Sequence, residues 1–135
     1  MNLAEFVRNN DVDYSFNRIS ENNIFEIEKT IGMSFGSQLK QYILEYGYLG
    51  YKHIELFGVN NHQGINSDML NKTQRLHKNF EKTIGLIAIE DQGDGDYYLV
   101  DSNDMIYRFV VANNELCSQN INLFEYILQR FLSVK

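Results

Sequence analysis

The sequence predicts an α+β domain built on a central, mainly antiparallel β-sheet, and three observations carry that expectation. The stretch from Gly85 to Val111, GLIAIEDQGDGDYYLVDSNDMIYRFVV, reads as three apolar strands joined by two short polar connections. Ile, Val, Tyr and Phe between clusters of Asp, Gly and Asn have the composition of an antiparallel meander. The first third of the chain repeats its apolar residues at helical spacing, and the segment from Asn122 onward does so again on a broader stripe. Helices, then strands, then a helix is the order of an α+β fold with helices packed on a sheet.

The elements follow in order. Leu3, Phe6 and Val7 form a short helical stripe that Asn9 and Asn10 interrupt. Ser20 suits the N-cap of a second helix carrying Ile24, Ile27 and Ile31, with Gly32 as its stop. Ser37 is expected to cap a third helix, on which Leu39, Tyr42, Ile43 and Tyr46 keep helical spacing and Gly47 supplies the left-handed exit. In YLGYKHIELFGVN a strand is expected around Lys52 to Phe57, preceded by a glycine-punctuated loop holding Tyr48 and Tyr51. The polar segment Asn66 to Phe80, with Met69, Leu76 and Phe80 as its spaced apolar positions, reads as a surface helix or a partly ordered connection. After the meander, Asn122 with Glu125 three residues later is the signature of a capping box. The stripe behind it, Leu123, Phe124, Ile127, Leu128, Phe131 and Leu132, is wide enough to bury one face of a closing helix.

A chain of 135 residues without a shift in composition is read as one domain, 1–135. Roughly two-thirds of its unfolded surface can be buried at this length, so a hydrophobic core needs no covalent staples. The start of the chain has no basic region followed by an apolar run, and no apolar run approaches the roughly 20 residues a bilayer requires. A cytoplasmic protein is expected. Cys117, the single cysteine, excludes an internal disulfide and fits a reducing compartment. With no base partner in view, it reads as a small half-buried residue near a turn. The formal charge of −6 argues against gripping a phosphate backbone and leaves room for a basic protein partner.

Candidate functional residues are few. Glu90, Asp91, Asp94, Asp96, Asp101 and Asp104 fall in or beside the two connections of the meander, with no Lys or Arg among them. They predict a negative rim at the ends of the sheet. The run Asp91-Gln-Gly-Asp-Gly-Asp96 fails the calcium-loop template in both registers, because glycines or Tyr98 stand where oxygens are needed. Turn formation by Gly93 and Gly95 explains it better, and no metal or cofactor is expected. His53, His62 and His77 lack the spacing of a zinc site, and no phosphate-cradling glycine motif occurs. Glu90 and Asp91, at a strand end, are the residues that a further alternative, a small metal-dependent hydrolase, would use for acid–base work. Tyr42 and Tyr46 are expected in the core. Tyr48 and Tyr51 either serve an interface, where Tyr is favoured, or cover a sheet edge. Lys72, Arg75, Lys78 and Lys82 read as a solvated face, or as charges compensating the acidic rim across a gap.

The order of these pieces resembles the SUKH superfamily, named for fungal Smi/Knr regulators of cell-wall synthesis and their bacterial relatives. IFEIEKTIGMSFGSQLKQYILEYGYLG is similar to its opening helix pair, with Ile27, Ile31, Leu39, Tyr42, Ile43, Leu44, Tyr46 and Gly47 in matching slots. HIELFG resembles the strand that follows, GLIAIEDQGDGDYYLVD with MIYRF resembles the core, and LFEYILQRFL resembles the last helix. The likeness runs from about Ile24 to Leu132. Gly36 stands where the family usually has Pro. The resemblance implies an α+β fold and, for a bacterial-type member, a non-enzymatic immunity protein that neutralises a cognate toxin, often a nuclease. The contacts expected for it are Glu90, Asp91, Asp94, Asp96, Tyr48 and Tyr51. The fungal namesakes imply the alternative of a regulatory scaffold.

Overall fold

The computed structural model describes residues 1–15, 19–59 and 68–134. Helix α1 (Leu3–Asn9) starts at Asn2, whose side chain accepts from the Glu5 N–H at 2.9 Å, and buries Leu3 and Phe6. Helix α2 (Glu21–Ile31) has the predicted Ser20 cap, which Asn23 reciprocates, and it ends at Gly32 with φ 85°. Helix α3 (Ser37–Glu45) departs from expectation at its start. Its N-cap is Gly36, not Ser37. The missing cap arrives from a distant turn: Asp104 accepts from the N–H groups of Gln38 and Leu39, each at 3.0 Å. A Cβ on residue 36 would lie 2.3 Å from the Asp104 carboxylate, so glycine here makes room for the long-range cap.

The expected single sheet is two antiparallel sheets. The smaller holds β1 (Asp13–Tyr14), β2 (Leu49–Tyr51) and β3 (Ile54–Glu55) in that order. Instead of one strand around Lys52 to Phe57, the chain makes a tight β2–β3 hairpin that turns through Lys52, at φ 56°. Leu49, Tyr51 and Ile54 face inward, and Tyr51 is 7% exposed with its ring edge-on to Phe6 at 5.1 Å. Tyr51 is therefore not in the glycine-punctuated loop expected for it: it ends β2, and strand alternation turns its ring into the core.

The larger sheet contains the predicted meander, β4 (Ile87–Asp91), β5 (Asp96–Val100) and β6 (Met105–Val110), and a fourth strand, β7 (Glu115–Asn122), which was not expected. Cys117 lies within β7, half-buried, three residues beyond the left-handed turn residue Asn114. The two sheets are joined where the Phe57 N–H donates to Ile89 O at 2.7 Å.

One face of the larger sheet, with Ile87, Ile89, Val100 and Ile106, packs in a core with α1, α2, α3 and helix α5 (Leu123–Leu132). The other face, with Ala88, Leu99 and Phe109, is covered by Leu76 and Phe80 of and beside helix α4 (Asp68–Asn79). The Asn122 cap of α5 is present, accepting from the Glu125 N–H at 3.0 Å. Its buried face differs from the predicted stripe, with Tyr126 in the core and Leu132 at 42% exposure. Residues 66 and 67 of the predicted polar segment, and His62, lie outside the described residues.

Candidate interaction site

The predicted acidic rim does not exist as one surface. Successive turns of an antiparallel meander lie at opposite ends of the sheet, so the Asp91–Asp96 and Asp101–Asp104 turns are separated by the length of β5. Glu90, Asp96 and Asp104 are also buried. Asp104 caps α3, as described, and Asp101 accepts from the N–H groups of Asn103 and Met105.

Glu90 is turned inward by a bulge. Ala88 pairs with Leu99 and Glu90 with Tyr98, so Ile89 is one residue too many for its partner strand. Glu90 consequently shares the face of Ile89 and points toward α5. There Arg130 donates to both carboxylate oxygens, at 2.8 and 2.6 Å, and the Tyr126 hydroxyl donates at 2.5 Å. Burial, followed by the Glu90 charge, pushes the Tyr126 hydroxyl far above the usual tyrosine range. The hydrogen bond to Glu90 likewise raises Arg130. Asp96, at the start of β5, is held by Arg108 of the neighbouring strand through Nε at 2.7 Å and through its terminal nitrogen. The expectation that Glu90 and Asp96 are unpaired is corrected: arginines brought in by other elements neutralise both. Among the described residues the cations of α4 and of the turn after it form no ion pair with these acids: Lys72 of α4 lies over the Tyr97 ring, and Lys82, beyond that helix, donates to Asn114 O.

Asp91 and Asp94 are exposed, and each accepts from the backbone two residues on, Gly93 and Asp96. Gly93 and Gly95 have the positive φ that such a turn requires.

An acidic surface does form, on the outward face of the smaller sheet. Asp13 pairs in register with Gly50, and Gly50 with Glu55, so both carboxylates flank one glycine on the same face. Tyr48, two residues before Gly50, lies across it, and a Cβ on Gly50 would meet its hydroxyl at 2.2 Å. Partial burial first, then the charges of Glu55, Asp13 and Asp68, raise the Tyr48 hydroxyl above its ordinary value. Among the described residues neither Asp13 nor Glu55 forms an ion pair. Glu55 also lines a groove of about 490 Å³ with His53, Phe57, Asp91 and Gln92, at whose side the Glu90–Arg130 pair lies. Glu55 thus borders both the Tyr48 face and the groove that Asp91 lines, with Asp94 further along the Asp91 turn.

No local pattern in the sequence brings Asp13 and Glu55 together, since their meeting depends on a three-strand register. The one local signal is Glu55 between Ile54 and Leu56, an outward residue between two inward ones. His77 lies 2.7 Å from Leu86 O. Among the described residues no three of His, Cys, Asp and Glu are grouped so as to hold a metal ion.

A model of the family SUKH_5, described as SMI1-KNR4 cell-wall, matches residues 2–132. No curated protein matches the chain.

Proposed function

The chain belongs to the SMI1-KNR4 (SUKH) family, and from that premise we propose that it is an immunity protein, binding and neutralising a cognate toxin with a basic, nuclease-type domain. The family is compatible with such a role. The observation that carries the proposal is Tyr48 set between Asp13 and Glu55 on an outward sheet face, with Glu55 also lining the groove that holds Asp91. A nuclease must attract phosphate, so its substrate groove is basic, and a carboxylate face complements it. Tyr48 supplies apolar area with a polar tip, the composition of an interface anchor. Glu90 does not suit a general base, because both its oxygens already accept from Arg130 and Tyr126. No helix among the described residues is long and apolar enough to cross a membrane.

The family description also favours a second reading, a non-enzymatic regulator in cell-wall pathways acting through the same surface. Affinity capture from the native host separates the two by the partner recovered. For the surface itself, Tyr48→Ala is expected to weaken the toxin complex by about 30-fold, the equivalent of ~2 kcal/mol. Reversing Asp13 and Glu55 to Lys is expected to slow association about tenfold and flatten its salt dependence. Wild-type protection by both variants in a co-expression assay places the interface elsewhere. Recovery of a partner other than a toxin ends the immunity reading and leaves the surface standing.

A further inference from the structure

Between α2 and α3 the surface opens into a groove of about 750 Å³ that has no residue in common with the Tyr48 face. Ile24 and Leu44 form its floor as part of the main core, and Phe25 stands in it 57% exposed. An aromatic ring left in water on a concave surface is the kind of position that anchors a partner.

The rim is acidic at one end. At the other end Lys40 Nζ lies 4.0 Å from Glu28, whose carboxylate also accepts from the Phe35 N–H at 2.6 Å, so that end is neutralised. Lys29 lies over the Phe25 ring at 5.2 Å. Away from the Glu28–Lys40 contact, the start of α2 brings Glu21 and the end of α3 brings Glu45 into the lining, and neither is in an ion pair among the described residues. Apolar floor and acidic end together define the complement: an apolar stripe followed by a cation.

We propose that the α2–α3 groove docks an amphipathic helix of a partner protein, with apolar side chains over Phe25 and Leu44 and a Lys or Arg beside Glu21 and Glu45. Insertion of such a helix between two others is a common recognition mode. The proposal stands independently of toxin binding.

The test uses the full chain and two synthetic peptides of about 15 residues, long enough for helix formation. Both carry one Leu face, with Lys on the polar face of the first and Glu on that of the second. In an amide NMR titration the Leu/Lys peptide is expected to shift Ile24, Phe25, Gln41 and Leu44, and the Leu/Glu peptide to bind at least tenfold more weakly. Phe25→Ala and Glu45→Lys are each expected to weaken the Leu/Lys peptide about tenfold. Glu45→Lys places a cation in the last turn of α3, where the helix dipole favours it, so lost binding there does not reflect lost folding. Equal binding of the two peptides, shifts centred on Tyr48, or wild-type affinity in both variants overturns the proposal. So does a wild-type dimer in sedimentation that Phe25→Ala dissociates, which assigns the groove to a second copy of the chain.

Discussion

Glu90 shows how one extra residue decides what a charge does. Without the Ile89 bulge, strand alternation would point Glu90 toward the α4 face, away from Arg130. With it, the carboxylate meets three donors from α5. Removing one partner of a buried ion pair leaves the other charge uncompensated, which typically costs about 3–5 kcal/mol. Arg130→Met is therefore expected to lower unfolding stability in urea by about that amount. The double change Glu90→Leu with Arg130→Met is expected to recover most of the loss, because it removes both charges. Equal stability of the two variants would show that Arg130 matters through packing alone. Asp104 follows the same logic on a smaller scale. As the cap of α3 from a distant turn, it is expected to contribute about 1–2 kcal/mol, read by the same measurement on Asp104→Ala. The acids were visible in the sequence. Their partners, brought in by a bulge and a remote turn, were not.

Among the elements, those specified by nearby residues were legible and those specified by distant pairing were not. The Ser20 cap with the Gly32 stop, the Asn122 cap and the three strands of the meander all rest on local patterns. Strand β7, ELCSQNIN, has few apolar residues because it lies at a sheet edge, and only its pairing with β6 identifies it. The small sheet has strands of two or three residues, too short to show a period. Helix α5 illustrates the limit within an element that was found. Periodicity placed Phe131 and Leu132 together on its apolar stripe, yet Phe131 is fully buried against Phe6 and Tyr51 while Leu132 is substantially exposed. Phe131→Ala is expected to cost about 3–5 kcal/mol in chemical denaturation, and Leu132→Ala less than about 1 kcal/mol. Similar losses would mean that the C-terminal turn of α5 packs differently.

At the scale of the whole molecule, the helical layer is tied to the junction of the two sheets by two tyrosine hydroxyls. Tyr42 of α3 donates to Phe57 O at 2.6 Å, beside the Phe57–Ile89 hydrogen bond that joins the sheets, and Tyr126 of α5 donates to Glu90 on β4. Burial raises both hydroxyls above the ordinary tyrosine value of 10.0, so the folded state holds their protons more tightly than the unfolded chain does. Below pH ~10 both states are protonated and the full contribution is present. As pH rises past that value the unfolded chain releases protons that the folded state keeps, and stability falls. The slope approaches about 1.4 kcal/mol per pH unit for each tyrosine. Unfolding in urea between neutral pH and pH ~11 is expected to show this decline. Tyr126→Phe is expected to be weaker at neutral pH, where it loses the Glu90 hydrogen bond, but to lose stability less steeply with alkali because one of the linked protons is gone. An alkaline slope identical to wild type in that variant would remove Tyr126 from the linkage and leave the decline to other groups.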